Sequence, residues 1–517
     1  MSQKELLPQD TQRQQGRSAQ RNNILAGKLV AQTIRSTLGP KGMDKMLVNQ
    51  LGDVIVTNDG VTILQEIAIE HPTAKMIVEI AKTQEDEVGD GTTSAVIIAG
   101  ELLNQAEQLL DKNIHPTLIT KGYRLASQHA LQYLHSIAQP ANTKDILLAI
   151  AQTAMTGKSA EIVKESLAQL AVEAITSINQ QTLDIQHIRI ETQVGHQQED
   201  ATLIHGLLLD KAKVHTNMPS TVQEARILLL NVALEIRDTE TDAKITITNP
   251  QQLDAFLQQE EMMIKRMIDA IIKSGATVVC CQRGIDELAQ HYLAKAGIMA
   301  LRRVKKSDMD ALSQATGANI VTQVSDIQAT DLGTAQSVKQ IKVLDEYKTH
   351  ITGCKHKDIV TLHLAGSTSH VVEEVKRAML DALGDLRVTL LHKKAVGGAG
   401  AVEIKTAHAV RQYAQTLSGR EQLAVYAFAE AMESIPITLA ENAGLDPIDV
   451  LTSLKSSQEQ WPGIDVCSGK TMNAFTQGII EPLKVKTQAV EAATQVACMI
   501  LRIDDIIAAG VSEPPSE

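Results

Sequence analysis

"VGDGTTSAVIIAGELL", residues 88–103, sets the reading of this chain. Two glycines and three hydroxyl residues open an apolar run, so a helix starts at Thr92 and continues to about Leu110. The free N–H groups of such a start, with a dipole end worth about half a charge, make an anion site. Asp90 would repel a bare phosphate there. It suits a phosphate that arrives with a magnesium ion shared between the two. The same residues also suit an ordinary Asp/Thr helix cap, and at this point both readings stand.

Other short stretches carry compatible chemistry. "TLGPKGMDKML" (37–47) is a glycine turn with Lys41, "TNDGVT" (57–62) holds Asp59, and "MTGKS" (155–159) holds Lys158. "HKKAVGGAGAVE" (392–403) is a second glycine-rich turn, preceded by Lys393 and Lys394. Each alone reads first as a turn; together they read as pieces of one phosphate site. Two motif searches fail. "GGAGAVE" lacks the third glycine of a dinucleotide fingerprint. "GIDVCSGKT" (463–471) has five residues between its glycines where a P-loop has four, and reads as a loop between helices.

The chain has 517 residues, too many for one core, and roughly three domains are expected. Hydrophobic residues make up 44%, yet aromatics only 2%, so the core is built from aliphatic side chains and Met, a mix that suits helices. The same shortage, with a net charge of −12, argues against a nucleic-acid binder. Five cysteines fit no paired framework and no zinc spacing, which points to a reducing cytosol. The polar first residues have no signal-peptide run, and no stretch reaches the roughly 18 apolar residues of a membrane helix. A cytoplasmic protein without membrane contact is expected.

The pattern alternates between classes along the chain. Residues 1 to about 18 read as a flexible polar arm, followed by a helix that stops at Gly39-Pro40. "DVIVTNDGVTIL" (53–64) reads as a hairpin turning at Asn58-Asp59-Gly60. Helices then dominate to about Asn179, with a strand at "HIRIETQVG" (187–195). From about Val214, strand-like runs such as "ARILLLNVAL", "AKITIT", "ATVVCCQ", "IMALRRV" and "ANIVTQV" alternate with helices, the texture of an α/β domain. A long helix over 250–274 has Leu253, Phe256, Leu257, Met263, Met267 and Ile271 on its apolar side and Gly275 as C-cap. "DIVTLHLAGS" (358–367) is a strand, 396–509 is mainly helical, and "GVSEPPSE" reads as a disordered tail. Cys280-Cys281 reads as core, Arg302–Lys306 as a solvated basic face, and His291 and His370 as structural.

"GRSAQRNNILAGKLVAQTIRSTLGPKGMDKMLV", "DVIVTNDGVTILQEIAIEHPTAKMIVEIAKTQEDEVGDGTTS" and "GREQLAVYAFAEAMESIPITLAENAGLDPIDVL" closely resemble the group II chaperonins, the thermosome and its cytosolic relatives. The likeness covers nearly the whole chain. It implies a multidomain α and α/β chaperonin fold. A mostly helical equatorial domain would come from about 1–143 and 396–517, and a small α/β intermediate domain from about 144–211 and 358–395. An α/β apical domain of about 212–357 would carry a helical protrusion, the lid, at about 238–272. It further implies ATP and Mg²⁺ as cofactors, and unfolded client proteins as partners. Other chaperonin subunits would complete a homo- or hetero-oligomeric double ring of eight or nine per ring.

By the same resemblance, Leu38, Gly39 and Pro40 form a nucleotide loop. Asp90, Gly91, Thr92, Thr93 and Ser94 surround the phosphates, with Asp90 on the metal. Asp59 and Lys158 approach the γ-phosphate, Gly398 and Gly400 border adenine and ribose, and Glu481 meets the ribose hydroxyls. One stretch departs from the family pattern. Where relatives run "DALxVVKxxxEDGKVVAGGGAxE", this chain runs "DALGDLRVTLLHKKAVGGAGAVE" from Asp381 to Glu403. The acid of "EDG", read as the water-activating residue, becomes His392, and the middle glycine becomes Ala399, harmless if its φ is negative. The tail also lacks a Gly/Met-rich repeat. The expectation is an ATP-dependent folding chaperonin subunit with weakened hydrolysis. The alternatives are a hydrolysis-deficient structural subunit of a mixed ring, and a small-molecule kinase, for which no substrate pocket is visible.

Overall fold

The computed structural model describes residues 12–48, 52, 54–67, 69–158, 161–178, 183–195, 201–235, 250–343, 346–354 and 359–508. Among them lie the helices α1 (Gly16–Arg35), α2 (Gly60–Glu66), α3 (Pro72–Val88), α4 (Thr92–Asp111), α5 (Pro116–Ile137), α6 (Lys144–Met155), α7 (Lys164–Ser177) and α8 (Pro250–Ser274). They continue with α9 (Glu287–Lys295), α10 (Lys306–Thr316), α11 (Ser369–His392), α12 (Ala401–Gln415), α13 (Glu421–Met432), α14 (Ser434–Asn442), α15 (Pro447–Ser456) and α16 (Leu483–Leu501). The chain divides into two compact units: Met1–Ile175, Gln193–Asp200 and Ala365–Glu517 form one, Thr176–Thr192 and Ala201–Leu364 the other. The helices of the expected intermediate domain thus fall in the first unit, and most of its strand residues in the second.

The first unit is a helical body with one large aliphatic core, contributed by α1, α3, α4, α5, α12, α13 and α16. Small residues let helices close up. A Cβ on Gly100 of α4 would lie 2.3 Å from that of Ala31 of α1, so this contact admits only glycine. The few aromatics are concentrated: Tyr123 meets Phe428 edge-on at 6.1 Å and donates its hydroxyl to the Leu102 carbonyl at 2.8 Å. Glu421–Asn442, long and apolar enough by composition to cross a membrane, is α13 with α14, and 78% of its most apolar window is buried in the protein.

Three sequence expectations change here. Gln12–Gln15, assigned to a free arm, is a strand paired antiparallel with Asp505–Ala508 in the stretch read as helical. Backbone pairing between such distant segments leaves no periodic trace in a polar sequence. The hairpin exists, but it joins Lys45–Val48 to Val54–Thr57, and Asn58-Asp59-Gly60 is not its turn. Asp59 instead caps α2, accepting hydrogen bonds from the Thr62 N–H at 2.9 Å and the Thr62 hydroxyl at 2.6 Å. An Asx cap and a turn share the same residue preferences. The stretch 463–471 is part of a hairpin pairing Pro462–Ile464 with Thr471–Asn473.

The second unit is built on a seven-stranded mixed sheet in the order Met299–Leu301, Val278–Cys281, Thr221–Leu230, Gly333–Val343, Glu346–Cys354, Leu207–Leu209, with Ile320–Val321 beside Thr221–Leu230. Its α/β texture is as expected. Successive residues feed opposite cores: Ile227, Leu229 and Cys280 pack with α10, whereas Leu228, Leu230 and Cys281 pack with α8 and α9. Burial on both faces explains the unbroken apolar runs and confirms both cysteines as core. Helix α8 ends at Gly275, whose φ of +79° marks it as the cap. Its buried stripe is Ile264, Ile268 and Ile271, and Met263 lies off it, exposed. Residues 236–249, which take in the start of the expected protrusion and "AKITIT", and the tail 509–517 lie outside the described residues.

Candidate nucleotide site

The expected site residues of the first unit come from loops and helix ends that tertiary contacts draw together. Gly91 takes φ +78° as the N-cap of α4 and no side chain caps the helix, so the cap reading of "GDGTTS" fails and the first-turn N–H groups are left for another acceptor. A Cβ on Gly91 would lie 2.7 Å from Val485 of α16. Gln84 of α3 fixes the preceding residue, donating its Nε2 to the Asp90 carbonyl at 2.9 Å and to the Val485 carbonyl at 3.2 Å. Thr92 is buried, and Thr93 and Ser94 are half-buried in the same turn. Asp59 stands next to this turn, because a Cβ on its neighbour Gly60 would lie 2.6 Å from the Thr93 hydroxyl.

The Leu38-Gly39-Pro40 loop closes a second side. Asn442 of α14 donates its amide to the Leu38 carbonyl at 2.9 Å. Gly157, at φ +80°, packs so tightly that a Cβ would lie 2.8 Å from the Gly39 carbonyl oxygen and 2.9 Å from Pro40 Cα. Asn58 donates to the Gly157 carbonyl at 2.8 Å. The loops holding Gly39, Asp59 and Lys158, far apart in sequence, therefore touch one another.

Lys158 forms an ion pair with Asp381 on α11. Burial opposes its charge, but Asp381, Asp90 and Asp59 together hold the ammonium well above the ordinary lysine range. Burial pushes the Asp381 carboxyl up to about 7, against the pull of Lys158, with the charges of Asp90 and Asp59 adding to the rise. One helical turn further, Asp385 is buried with Oδ1 unpartnered. Burial, then the charges of Asp90, Glu481 and Asp381, raise its carboxyl well above the usual range. Neither aspartate was singled out from the sequence. The signal was there: two acids four apart in "MLDALGDLRV", whose only other charged residue is Arg387.

His392 is not among these groups. It is the exposed last residue of α11, eleven positions from Asp381, or roughly 16 Å along a helix rising 1.5 Å per residue. The acid that faces Lys158 is Asp381 and not the residue aligned to the "EDG" acid.

The glycine turn forms the remaining wall. Lys394–Gly397 pairs antiparallel with Ile480–Pro482, which sets Val396 opposite Glu481. A Cβ on Gly398 would lie 2.6 Å from Glu481 Oε1. Gly400, at φ +77°, caps α12, again without a side-chain acceptor. Ala399 has φ +54°, so the negative φ that would have made the Gly-to-Ala exchange harmless is not found. Lys486 of α16, also missed, lies 2.5 Å from Glu481 Oε2 and 3.0 Å from Glu403 Oε1 of α12. Burial raises the Glu481 carboxyl, Lys486 pulls it down, and Glu403 and Asp90 push it up.

The sequence model of the TCP-1/cpn60 chaperonin family matches residues 30–511. Thermosome subunit beta of Methanothermobacter thermautotrophicus is 54% identical over 515 residues, covering 99% of this chain and 96% of that protein. Thermosome subunit beta of Archaeoglobus fulgidus is 54% identical over 514 residues, covering 98% and 94%. Thermosome subunit alpha of M. thermautotrophicus is 52% identical over 507 residues, again covering 98% and 94%. Full-length likeness at this level, on a chain with a helical body, an inserted α/β unit and this convergence of glycine turns and acids, places the protein: it belongs to the TCP-1/cpn60 chaperonin family, as a group II chaperonin subunit.

Proposed function

We propose that this chain is an ATP-driven folding subunit whose hydrolytic site is intact, with Asp381 as the group that accepts a proton from the attacking water. The observation that carries the reading is the Lys158–Asp381 pair, set among Asp59 and Asp90 beside an uncapped helix start. The residues suit a magnesium nucleotide. Hard carboxylate oxygens are the ligands magnesium takes, and it favours one or two of them with phosphate oxygens over a closed protein cage. Gly91, Thr92, Thr93 and Ser94 would receive the phosphates through helix-start N–H groups, beside the Leu38-Gly39-Pro40 loop. Asp90 would hold the ion, Asp59 and Lys158 would flank the terminal phosphate, and Gly398, Gly400 and Glu481 would take adenine and ribose. A bound magnesium ion would withdraw charge from the terminal phosphate. Burial, with Asp90 and Asp59, raises the Asp381 carboxyl against the pull of Lys158, the direction a general base needs to work nearer neutral pH.

The expectation of weakened hydrolysis came from His392 and Ala399; His392 is the exposed last residue of α11, and our reading gives the base role to Asp381 instead. The equatorial, intermediate and apical division with a lid remains our reading of the chain. Thermosome relatives named as alpha and beta subunits support assembly with further subunits, and the family supports unfolded proteins as clients.

The test compares ATP turnover and ring assembly of the natural chain with Asp381→Asn and His392→Asp. Losing a positioned base costs about 10²–10⁴ in rate. Asp381→Asn should fall by that factor while still binding nucleotide, and His392→Asp should stay within about twofold. Undiminished turnover in Asp381→Asn, or a gain of tenfold or more in His392→Asp, sinks the assignment.

A further inference from the structure

Lys486, Glu403 and Glu481 form a charged triad behind the glycine turn. Lys486 lies in the first turn of α16 and is 8% exposed; Glu403 lies in the first turn of α12 and is 1% exposed. The ammonium bridges the two carboxylates, 2.5 Å from Glu481 Oε2 and 3.0 Å from Glu403 Oε1. Glu403 Oε2 has no partner. Burying three charges is a poor way to gain stability, since apolar groups of similar volume usually do as well or better. What the triad does gain is direction. With Oε2 held by Lys486, the other oxygen of Glu481 is fixed against Gly398, where any side chain would collide with it. Lys486 is itself fixed from behind by Glu403, on the helix that Gly400 starts.

We propose that Lys486, braced by Glu403, is a positioning residue that locks Glu481 so that Oε1 accepts from the ribose 2′-hydroxyl, and so sets the preference for ribonucleotides over 2′-deoxyribonucleotides. This rests on Glu481 facing the ribose. A hydrogen bond to a charged acceptor contributes about 1.5–3 kcal/mol, or roughly 10- to 150-fold in affinity. An acceptor free to swing away forfeits most of that.

Calorimetric titration of the natural full-length chain, Lys486→Met, Lys486→Arg and Glu403→Gln with magnesium ATP and magnesium 2′-deoxyATP tests the idea. We expect the natural chain to bind ATP about tenfold or more tighter than 2′-deoxyATP, and Lys486→Met to reduce that ratio to within about threefold. In turnover, the loss for ATP should fall mainly on KM rather than kcat, and Lys486→Arg should recover most of the ratio. Should Lys486→Met fail to fold, Glu403→Gln supplies the test, because it keeps the Lys486–Glu481 contact and removes only the brace; its ratio should fall severalfold. A folded Lys486→Met, or failing that a folded Glu403→Gln, with the natural ratio overturns the positioning role. A natural chain that binds ATP and 2′-deoxyATP equally refutes the 2′-hydroxyl contact and this inference with it, while leaving the nucleotide reading standing. A natural chain that binds no ATP refutes the nucleotide reading as a whole.

Discussion

Lys158 pairs with Asp381 across 223 residues of chain, joining the loop after α6 to the middle of α11. The pair matters because the acid it holds is pushed up to about 7 by burial and by Asp90 and Asp59. A base of that kind works only when deprotonated. ATP turnover should therefore fall as pH drops through about 7, with a slope approaching tenfold per pH unit on the acid side. A pH–rate profile of the natural chain at saturating nucleotide checks this, and the residual rate of Asp381→Asn should lose the acid limb. A profile flat from pH 5.5 to 8 would remove Asp381 from the base role.

Asp385 should be a stability liability in the empty protein. Its neighbours Gly384 and Leu386 are apolar, and the buried carboxyl keeps Oδ1 unpartnered. Its folded-state pKa is raised, first by burial. The folded form thus keeps its proton where the unfolded form, near the ordinary value of about 4, releases it. The penalty is absent below that value and grows as pH rises toward the folded pKa. Asp385→Val should raise the thermal midpoint, and the gain should be larger at pH 8 than at pH 5. Equal midpoints for variant and natural chain at pH 8 would contradict this account.

Ala399 sits at φ +54°, where a non-glycine residue costs about 1–2 kcal/mol. Glycine there gives back some of the gain as unfolded-state entropy, about 0.5–1 kcal/mol. Ala399→Gly should stabilise the first unit by a few tenths to about 1 kcal/mol. The Ala399 methyl also lies 3.0 Å from where a Cβ on Gly463 would stand. Gly463→Ala alone should destabilise, and the Ala399→Gly background should relieve part of that loss, read as a coupling energy in a denaturation double-mutant cycle.

Gly91 should tolerate no side chain. Its φ is +78° and an added Cβ would lie 2.7 Å from Val485. Gly91→Ala should shift the start of α4 and weaken magnesium ATP binding at least tenfold, with far-UV circular dichroism little changed. Natural affinity in that variant would separate the α4 start from the phosphate site.

Sequence alone determined the class of each segment wherever one physical pattern dominated. Helical spacing located α4, unbroken β-branched and cysteine runs located Val278–Cys281, and Gly275 ended α8, because periodicity and backbone freedom are local properties. The glycine turns and Asp59, Asp90 and Lys158 stand out in the sequence for the same reason, and the fold brings their loops together. Tertiary structure decided the rest. Asp59 is a helix cap and not a hairpin turn because Thr62 lies within reach of its carboxyl. Asp381, Asp385, Glu403 and Lys486 acquired their meaning only when distant helices packed, since a carboxyl is perturbed by the burial and charges around it and not by its neighbours in the chain. His392 shows the opposite case: the length of α11 sets it at the helix end, eleven residues past the acid that pairs with Lys158.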